Sequence, residues 1–271
     1  MQGKRVLITG GNGGIGLVAA KRLAEMGAEI VLAGRPGEKT NNALAEINES
    51  AETPAVSLDV DFASLEQVRN VAAEFKNRYD RLDVLVNNAG VFPAKQRMTE
   101  DGFEMQFGVN HLAPFLLTNL LLDVLKASAP ARVITVSSKL HMKGKIDFDS
   151  FRGVEKYNPQ TAYNQSKLAN VLFAFELAER LEGTGVTSNA LHPGAVATDI
   201  VRDMPWLIRK LLGVLFISPE KGAETTVMLA SDPALEGVTG AYFDQGERVE
   251  ASELSKDKEL RTQLWELSSN T

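Results

Sequence analysis

The chain has 271 residues, of which 44% are hydrophobic and 24% are charged, a composition that predicts a folded protein with a substantial core and excludes a disordered one. It contains no cysteine and only three scattered histidines, which excludes disulfides and thiolate chemistry and argues against a metal centre. The net charge of −6 argues against nucleic acid as the main partner, because no basic stripe is available to neutralise phosphates.

Short strand-forming runs alternate with longer helical patterns, which is typical of βαβ units and a parallel sheet. We predict an α/β fold, a doubly wound parallel sheet of about seven strands with helices on both faces. No linker or repeat interrupts the pattern, so we expect one domain over residues 1–271. In chain order, the predicted elements are strand Val6–Thr9, helix Gly14–Met26, strand Glu29–Ala33, helix Thr40–Glu49, strand Ala55–Leu58, helix Phe62–Tyr79, strand Leu82–Val86, helix Asn110–Leu125, strand Arg132–Val136, helix Tyr157–Leu181, strand Val186–Leu191 and strand Ala241–Phe243.

The sequence contains no apolar run near the ~18 residues of a membrane span, and no signal peptide precedes the first strand. We therefore expect a cytoplasmic protein without a membrane span.

A glycine-rich loop, Thr9-Gly-Gly-Asn-Gly-Gly-Ile-Gly16, follows the first strand and opens the first helix. Backbone N–H groups in such a loop can approach a pyrophosphate, and the helix N-terminus favours its negative charge. The loop also fits GxGxxG in the register Gly11, Gly13 and Gly16, and a plain tight turn is the structural alternative. The residues predicted to bind a dinucleotide here are Gly10, Asn12, Gly14, Ile15 and Gly16.

The end of the second strand indicates which dinucleotide binds. A nicotinamide site usually places there an acid for the ribose hydroxyl or a cation for a 2′-phosphate. This chain has Arg35 at that point, whereas Glu29 lies at the start of the strand. The sequence therefore favours NADP(H) over NAD(H), with Arg35 stacking on or pairing with the phosphate. A surface arginine in the turn before Pro36 is the structural alternative.

Tyr163 and Lys167 lie four residues apart on a predicted helix and share one face. A nearby ammonium favours the phenolate, so we expect Lys167 to lower the pKa of Tyr163 from its ordinary value of about 10. A general acid or base works best with a pKa near the operating pH, and the pair therefore predicts proton transfer. Taken alone, the pair also fits a solvated helix face.

Two long connections, residues 139–158 and 196–218, follow the fifth and sixth predicted strands. Ligands of doubly wound sheets bind at the carboxyl ends of strands, so we expect both segments to surround a substrate. Within the second, residues 204–216 are unusually apolar. This stretch fits a substrate lid, a packing or oligomer contact, or a membrane-surface helix.

Several motifs occur in order: the glycine loop, Asn87-Asn-Ala-Gly90, Ser137-Ser138, Tyr163-x-x-x-Lys167 and His192-Pro-Gly194. With them, the chain resembles the short-chain dehydrogenase/reductase family over nearly its full length. Two finer segments, Asn110-His-Leu-Ala-Pro-Phe-Leu-Leu-Thr118 and Leu264-Trp-Glu-Leu-Ser268, resemble its retinol dehydrogenase/WW-domain oxidoreductase branch. Many animal members of that branch carry an N-terminal membrane anchor; we expect none here, which suits a relative of microbial type.

The resemblance implies a Rossmann-type sheet and hydride transfer between nicotinamide and a carbonyl or alcohol carbon. It implies that Tyr163 exchanges the proton with the substrate oxygen, while Lys167 lowers its pKa and bonds the nicotinamide ribose. Ser138, in preference to Ser137, would hold the substrate oxygen. Asn110 would anchor a water that connects Lys167 to solvent.

The resemblance also implies further cofactor contacts. Asn87 and its neighbours have a structural alternative as turn-stabilising residues. His111, His141 and His192 are interpreted first as structural, with His141 a candidate for the substrate rim. Besides Tyr163 and Lys167, the implied contacts are Asp59, Val60, Asn87, Ala89, Gly90, Pro193, Gly194, Val196 and Thr198.

The sequence thus predicts an NADP(H)-dependent carbonyl reductase or alcohol dehydrogenase for a fairly apolar small molecule. The alternative from another class is an NADP(H)-binding regulatory or scaffold protein with little turnover, against which the intact set of four catalytic positions argues. A related reaction, double-bond reduction or epimerisation, stays open. Family members commonly form dimers or tetramers through helices resembling Asn110–Leu125 and Tyr157–Leu181, so a homo-oligomer is a further expectation.

Overall fold

The computed structural model of the protein describes residues 1–194 and 217–271. Within them, eight strands form one sheet in the order β3-β2-β1-β4-β5-β6-β7-β8. Strands β1 to β7 are parallel, and β8 pairs antiparallel with β7. This confirms the predicted α/β doubly wound sheet. The strands are β1 (Arg5–Thr9), β2 (Glu29–Gly34), β3 (Val56–Asp59), β4 (Val84–Asn87), β5 (Ala131–Val136), β6 (Val186–His192), β7 (Tyr242–Asp244) and β8 (Glu247–Val249).

Helices flank both faces of the sheet. Between α4 and α5 the chain makes a π-helical turn at Gly108–Leu112, and short 3-10 helices occupy Lys139–Lys143 and Phe148–Arg152. The α-helices in the described residues are α1 (Gly14–Glu25), α2 (Glu38–Asn48), α3 (Leu65–Arg78), α4 (Met105–Phe107), α5 (Ala113–Leu120), α6 (Leu122–Ala127), α7 (Pro159–Arg180), α8 (Pro219–Ser231) and α9 (Lys258–Ser269).

The core lies in two layers because successive side chains of a strand point to opposite faces of the sheet. Val6 and Ile8 of β1 pack in the layer formed with α1, α2 and α8. Leu7, between them, packs in the layer formed with α3, α5 and α7. All three side chains are essentially inaccessible to solvent. This two-sided burial explains why β1 is a continuous apolar run.

Three parts of the sequence prediction need correction. The predicted helix Asn110–Leu125 is wrong as a single element, because the chain is helical from Met105, passes through the π-helical turn and breaks at Leu121. Strand β8 was missed because its three residues are all exposed and carry no apolar alternation. Helices α8 and α9 were also missed. Among the described residues, no helix combines the length and hydropathy that crossing a bilayer requires.

The segment 139–158 is held against the helices beside it. Phe151 stacks on Phe107 with ring centroids 3.6 Å apart. The side chain of Gln165, in α7, accepts the N–H of Asp147 (2.8 Å) and donates to Ser150 Oγ (2.8 Å). The other long connection lies outside the described residues up to residue 216, and so does its apolar stretch 204–216.

Candidate active site

The glycine loop and the Asn87–Gly90 segment meet because β1 and β4, which they follow, are neighbours in the sheet. Thr9 Oγ1 accepts the N–H groups of Asn88 and Ala89, each at 2.9 Å. Asn88 Nδ2 donates to Thr9 O at 2.8 Å. These strands flank the point where the strand order reverses, which is where doubly wound sheets bind ligands. The structural role considered for the Asn87 segment is therefore present.

Glycine is required at two positions of the loop. Gly10 has a φ of +64°, in the left-handed region that side chains disfavour. At Gly16, a Cβ would lie 2.6 Å from Asn88 Nδ2 and 2.8 Å from Gly10 O, closer than non-bonded atoms approach. The loop therefore packs against the β4 segment at a separation that only a bare Cα permits. Ile15, in the same loop, is buried beneath it.

Two cationic residues follow β2 beside this loop. Arg35 is exposed, and its carbonyl accepts from Thr40 Oγ1 (2.7 Å), which in turn accepts from Asn12 Nδ2 (3.0 Å). A Cβ built on Gly13 would lie 2.8 Å from both Cε and Nζ of Lys39, so this ammonium lies over the start of α1. Lys39 is not among the residues predicted from the sequence, although its position four residues after Arg35 was a usable signal. A phosphorylated dinucleotide fits this combination of bare backbone and positive charge.

Tyr163 and Lys167 lie on the buried part of α7 that faces the ends of β4 and β5. Burial raises the pKa of Tyr163 to about 12, and a hydrogen bond with Ser138 offsets this only in part. Lys167 Nζ lies 5.5 Å from the centroid of the Tyr163 ring and donates to Val136 O at 3.1 Å. Burial lowers the pKa of Lys167 to about 8. The net shift of the tyrosine pKa is thus opposite to the lowering expected from the sequence, because desolvation of the phenol outweighs the hydrogen bond with Ser138.

The two neighbouring serines have different partners. Ser137 Oγ donates to Lys167 O at 2.7 Å, so its hydroxyl hydrogen is used by the backbone of α7. Ser138 Oγ accepts the N–H of Leu140 (3.2 Å) at the start of a 3-10 helix, and its hydroxyl interacts with Tyr163. Ser138 thus has a hydroxyl beside the phenol, which is the arrangement that can hold a substrate oxygen.

Asn110 is buried in the π-helical turn, and its side chain is held from two sides. Its Nδ2 donates to Val91 O (3.1 Å) and Ser166 Oγ (3.0 Å), and its Oδ1 accepts the N–H of Val91 (2.7 Å). A Cβ on Gly90 would lie 3.4 Å from Asn110 Oδ1 and 3.6 Å from Lys167 Nζ. The missing side chain of Gly90 therefore leaves open space beside both polar atoms.

The remaining residues predicted to contact the cofactor differ in exposure, and two of them lie outside the described residues. Asp59 presents an exposed carboxylate at the end of β3, whereas the Val60 side chain is buried in the core. Asn87 is buried and donates to Thr118 Oγ1 at 2.9 Å. Pro193 and Gly194 follow β6. Val196 and Thr198 lie outside the described residues.

His141 is a structural residue. Its Nδ1 donates to Ser138 O (2.7 Å) and its Nε2 accepts the N–H of Ser252 (3.1 Å). Since both ring nitrogens are used inside the protein and the side chain is fully buried, the suggestion that it reaches the substrate rim is wrong. It instead fixes the backbone of Ser138. Burial lowers the pKa of His192, so this histidine also stays neutral near pH 7.

Comparison with known proteins agrees with this geometry. A family model described as short chain dehydrogenase matches residues 4–205. Human retinol dehydrogenase 14 is 44% identical over 99% of this chain and 86% of its own length. Human polyprenol dehydrogenase is 41% identical over 97% of this chain and 83% of its own length. The chain belongs to the short-chain dehydrogenase family, on the retinol dehydrogenase branch.

Solved structures share the fold. An uncharacterised protein from Mycobacterium paratuberculosis superposes with a TM-score of 0.81 at 33% identity, covering 99% of this chain and 93% of that one. A short chain dehydrogenase from Burkholderia cenocepacia J2315, solved in complex with NADP, gives a TM-score of 0.73 at 26% identity, covering 90% of this chain and 96% of that one.

Proposed function

We propose that this oxidoreductase transfers a hydride between NADP(H) and the carbonyl or alcohol carbon of a fairly apolar small molecule. The observation that carries the proposal is the convergence of Ser138, Tyr163 and Lys167 beside the glycine loop, with Asn110 next to Lys167 across Gly90. Relatives named for retinol and polyprenol, both apolar alcohols, support the substrate class.

The residues divide the chemistry among themselves. When bound, the nicotinamide supplies or accepts the hydride. Tyr163 is protonated near neutral pH because burial raises its pKa to about 12, so it donates the proton to the carbonyl oxygen in reduction. In oxidation the phenol first loses its proton, and the phenolate then accepts the proton of the alcohol. Ser138 holds the same oxygen by a hydrogen bond. Lys167 exchanges protons between the phenol and solvent through a water that Asn110 holds beside Gly90.

Two cations support the preference for NADP(H). Arg35 follows β2 and the Lys39 ammonium lies over Gly13, so both are near the position where we expect a 2′-phosphate; an NADP complex of a structural neighbour is consistent with this choice. No carboxylate ends β2 to bond a free ribose hydroxyl.

Nicotinamide fluorescence titrations test the cofactor preference. Wild type should bind NADPH more tightly than NADH, and Arg35→Ala and Lys39→Ala should each weaken NADPH binding about tenfold, roughly 1.4 kcal/mol, without changing NADH binding. Lys21→Ala, which removes an exposed lysine of α1 paired with Glu46, is the matched control. Equal affinity for both dinucleotides in wild type would overturn the preference.

Tyr163→Phe separates an enzyme from a binding protein. For an enzyme, reduction of a panel of apolar aldehydes and ketones by NADPH should fall at least about 100-fold in the variant, with the affinity for NADPH unchanged. Wild type that binds NADPH tightly yet reduces no member of the panel, and oxidises none of the corresponding alcohols, would favour the scaffold function.

A further inference from the structure

The two segments that carry the branch resemblance, far apart in sequence, meet in space. Helix α9, which contains Leu264–Ser268, packs across α5 and α7. Trp265 makes an edge contact with Phe115, with ring centroids 4.8 Å apart, and lies 6.0 Å from Phe173. His111 Nε2 lies 3.0 Å from Ser268 Oγ. The C-terminal helix therefore contacts the residue that follows Asn110.

The direction of the His111–Ser268 hydrogen bond follows from the second partner of the serine. Ser268 has one hydroxyl hydrogen, and this hydrogen is donated to Leu264 O at 2.8 Å. Ser268 Oγ must therefore accept, and His111 Nε2 donates. The imidazole is neutral, because burial lowers its pKa to about 3. A neutral ring with the proton on Nε2 makes this bond, and the side chain of Asn170 also interacts with the ring.

Apart from the polar side chains of Ser268 and Asn170, His111 lies among aromatic rings. Its ring centroid lies 5.2 Å from that of Phe107, 6.1 Å from that of Phe115 and 6.3 Å from that of Phe173. If the hydrogen bond to Ser268 were broken, the buried N–H of His111 would have neither a protein partner nor water, which is unfavourable. The Ser268 hydroxyl therefore holds the ring in one orientation.

His111 and Asn110 share the π-helical turn Gly108–Leu112, in which all five residues are buried. Such turns are rare and are frequently found at functional sites. The Asn110 side chain is held by Val91 and Ser166. The next residue of the turn, His111, is held by Ser268 of α9. A shift of the ring would therefore move the peptide of Asn110.

We propose that His111 and Ser268 are positioning residues, whose hydrogen bond lets the C-terminal helix fix the turn that holds Asn110 beside Lys167. The inference rests on the proposed function for its catalytic consequence. Its structural part, the placement of Asn110, stands on its own. The two segments that carry the branch resemblance thereby act on the same catalytic residue.

Ser268→Ala compared with Ser269→Ala tests the inference. Ser269 Oγ also donates to a carbonyl four residues earlier, Trp265 O at 2.8 Å, but it is exposed and has no histidine partner. Turnover is measured with NADPH and decanal below the unfolding temperature of each variant. Ser268→Ala should lower kcat about tenfold, leaving KM and the NADPH affinity unchanged. Ser269→Ala should match wild type.

A second readout does not depend on turnover. The side-chain amide signal of Asn110 in a ¹⁵N–¹H spectrum, identified by its loss in Asn110→Asp, should move in Ser268→Ala and stay in place in Ser269→Ala. If wild type reduces no decanal, this signal still tests the placement, so failure of the proposed function is distinguished from failure of the inference.

Conservative replacement at the histidine separates positioning from packing. His111→Gln retains an N–H donor near the Nε2 position and should restore most of the turnover and the Asn110 signal, whereas His111→Leu should not. An unmoved Asn110 signal in Ser268→Ala, equal kcat in both serine variants, or equal losses in His111→Gln and His111→Leu would each overturn the proposal.

Discussion

At the scale of single residues, the pKa values in the candidate site are set by burial more than by the charge of neighbouring residues. The phenol of Tyr163 and the ammonium of Lys167 are both desolvated, which moves their pKa values in opposite directions, to about 12 and to about 8. The two pKa values, which are close together for free side chains, therefore move apart. Near neutral pH the tyrosine is protonated and the lysine is largely cationic, a combination suited to protonating a carbonyl oxygen.

This combination predicts a pH dependence. Lys167 is cationic below about pH 8 and neutral above it, so kcat for NADPH-dependent reduction should be constant below that pH and fall as the pH rises through it. Lys167→Arg keeps its charge at all accessible pH values, so its kcat should not fall as the pH rises through 8, even if kcat is low throughout. Lys145→Arg, at an exposed position, should show the same fall in kcat as wild type. A wild-type profile that stays flat to pH 10 would contradict the prediction.

Gly90 offers a substitution that separates chemistry from folding. A Cβ there would make ordinary contacts, 3.4 Å to Asn110 Oδ1 and 3.6 Å to Lys167 Nζ, so Gly90→Ala should fold with a free energy of unfolding within about 1 kcal/mol of wild type. Because the methyl group fills the space for a bridging water, kcat should fall about tenfold. Thermal unfolding and steady-state kinetics check both parts. Unchanged kcat in Gly90→Ala would remove the water from the mechanism.

At the scale of elements, α7 carries two of the four catalytic candidates, and its N-terminus is fixed by a cap. Asn158 Oδ1 accepts the N–H of Thr161 at 3.0 Å, and Pro159 occupies the first turn. Asn158→Ala should lower the free energy of unfolding by about 1 kcal/mol. Asn158→Asp keeps an acceptor and should lose little, as denaturant titrations of the three proteins would show. Equal losses in both variants would assign the effect to something other than the cap.

The sequence predicted elements well where burial is periodic and poorly where it is not. Strands β1 to β7 and the helices of the N-terminal half have apolar runs or stripes, and motif order alone predicted the residues that converge at the site. Strand β8 is wholly exposed, and the break at Leu121 leaves the apolar pattern unchanged, so neither leaves a signal. The contacts of His141 and Ser268 join residues distant in sequence, and the tyrosine pKa depends on burial. These features follow only from the three-dimensional arrangement.

At the scale of the whole molecule, α9 covers a surface that would otherwise be apolar. Trp265 lies against Phe115 of α5 and Phe173 of α7, and Arg261 pairs with Glu179 of α7 at 2.7 Å. Most of α7, including both its sheet-facing and its outward-facing positions from Tyr163 to Ala174, is buried within one chain. The helices through which family members commonly associate are therefore covered by the chain's own C-terminal helix.

We therefore predict that the protein does not self-associate through α5 and α7. Sedimentation equilibrium should give the monomer mass of 29.4 kDa. If it gives an oligomer, a charged residue introduced on the face formed by α5 and α7 should not change the measured mass. Asn119→Arg, a partly exposed position of α5, should leave the mass unchanged, because no partner chain lies there. Trp265→Asp, which loosens α9 and uncovers Phe115 and Phe173, should instead promote association, since uncovered apolar surface attracts a second copy. A wild-type dimer that Asn119→Arg dissociates would show that this face remains available despite α9.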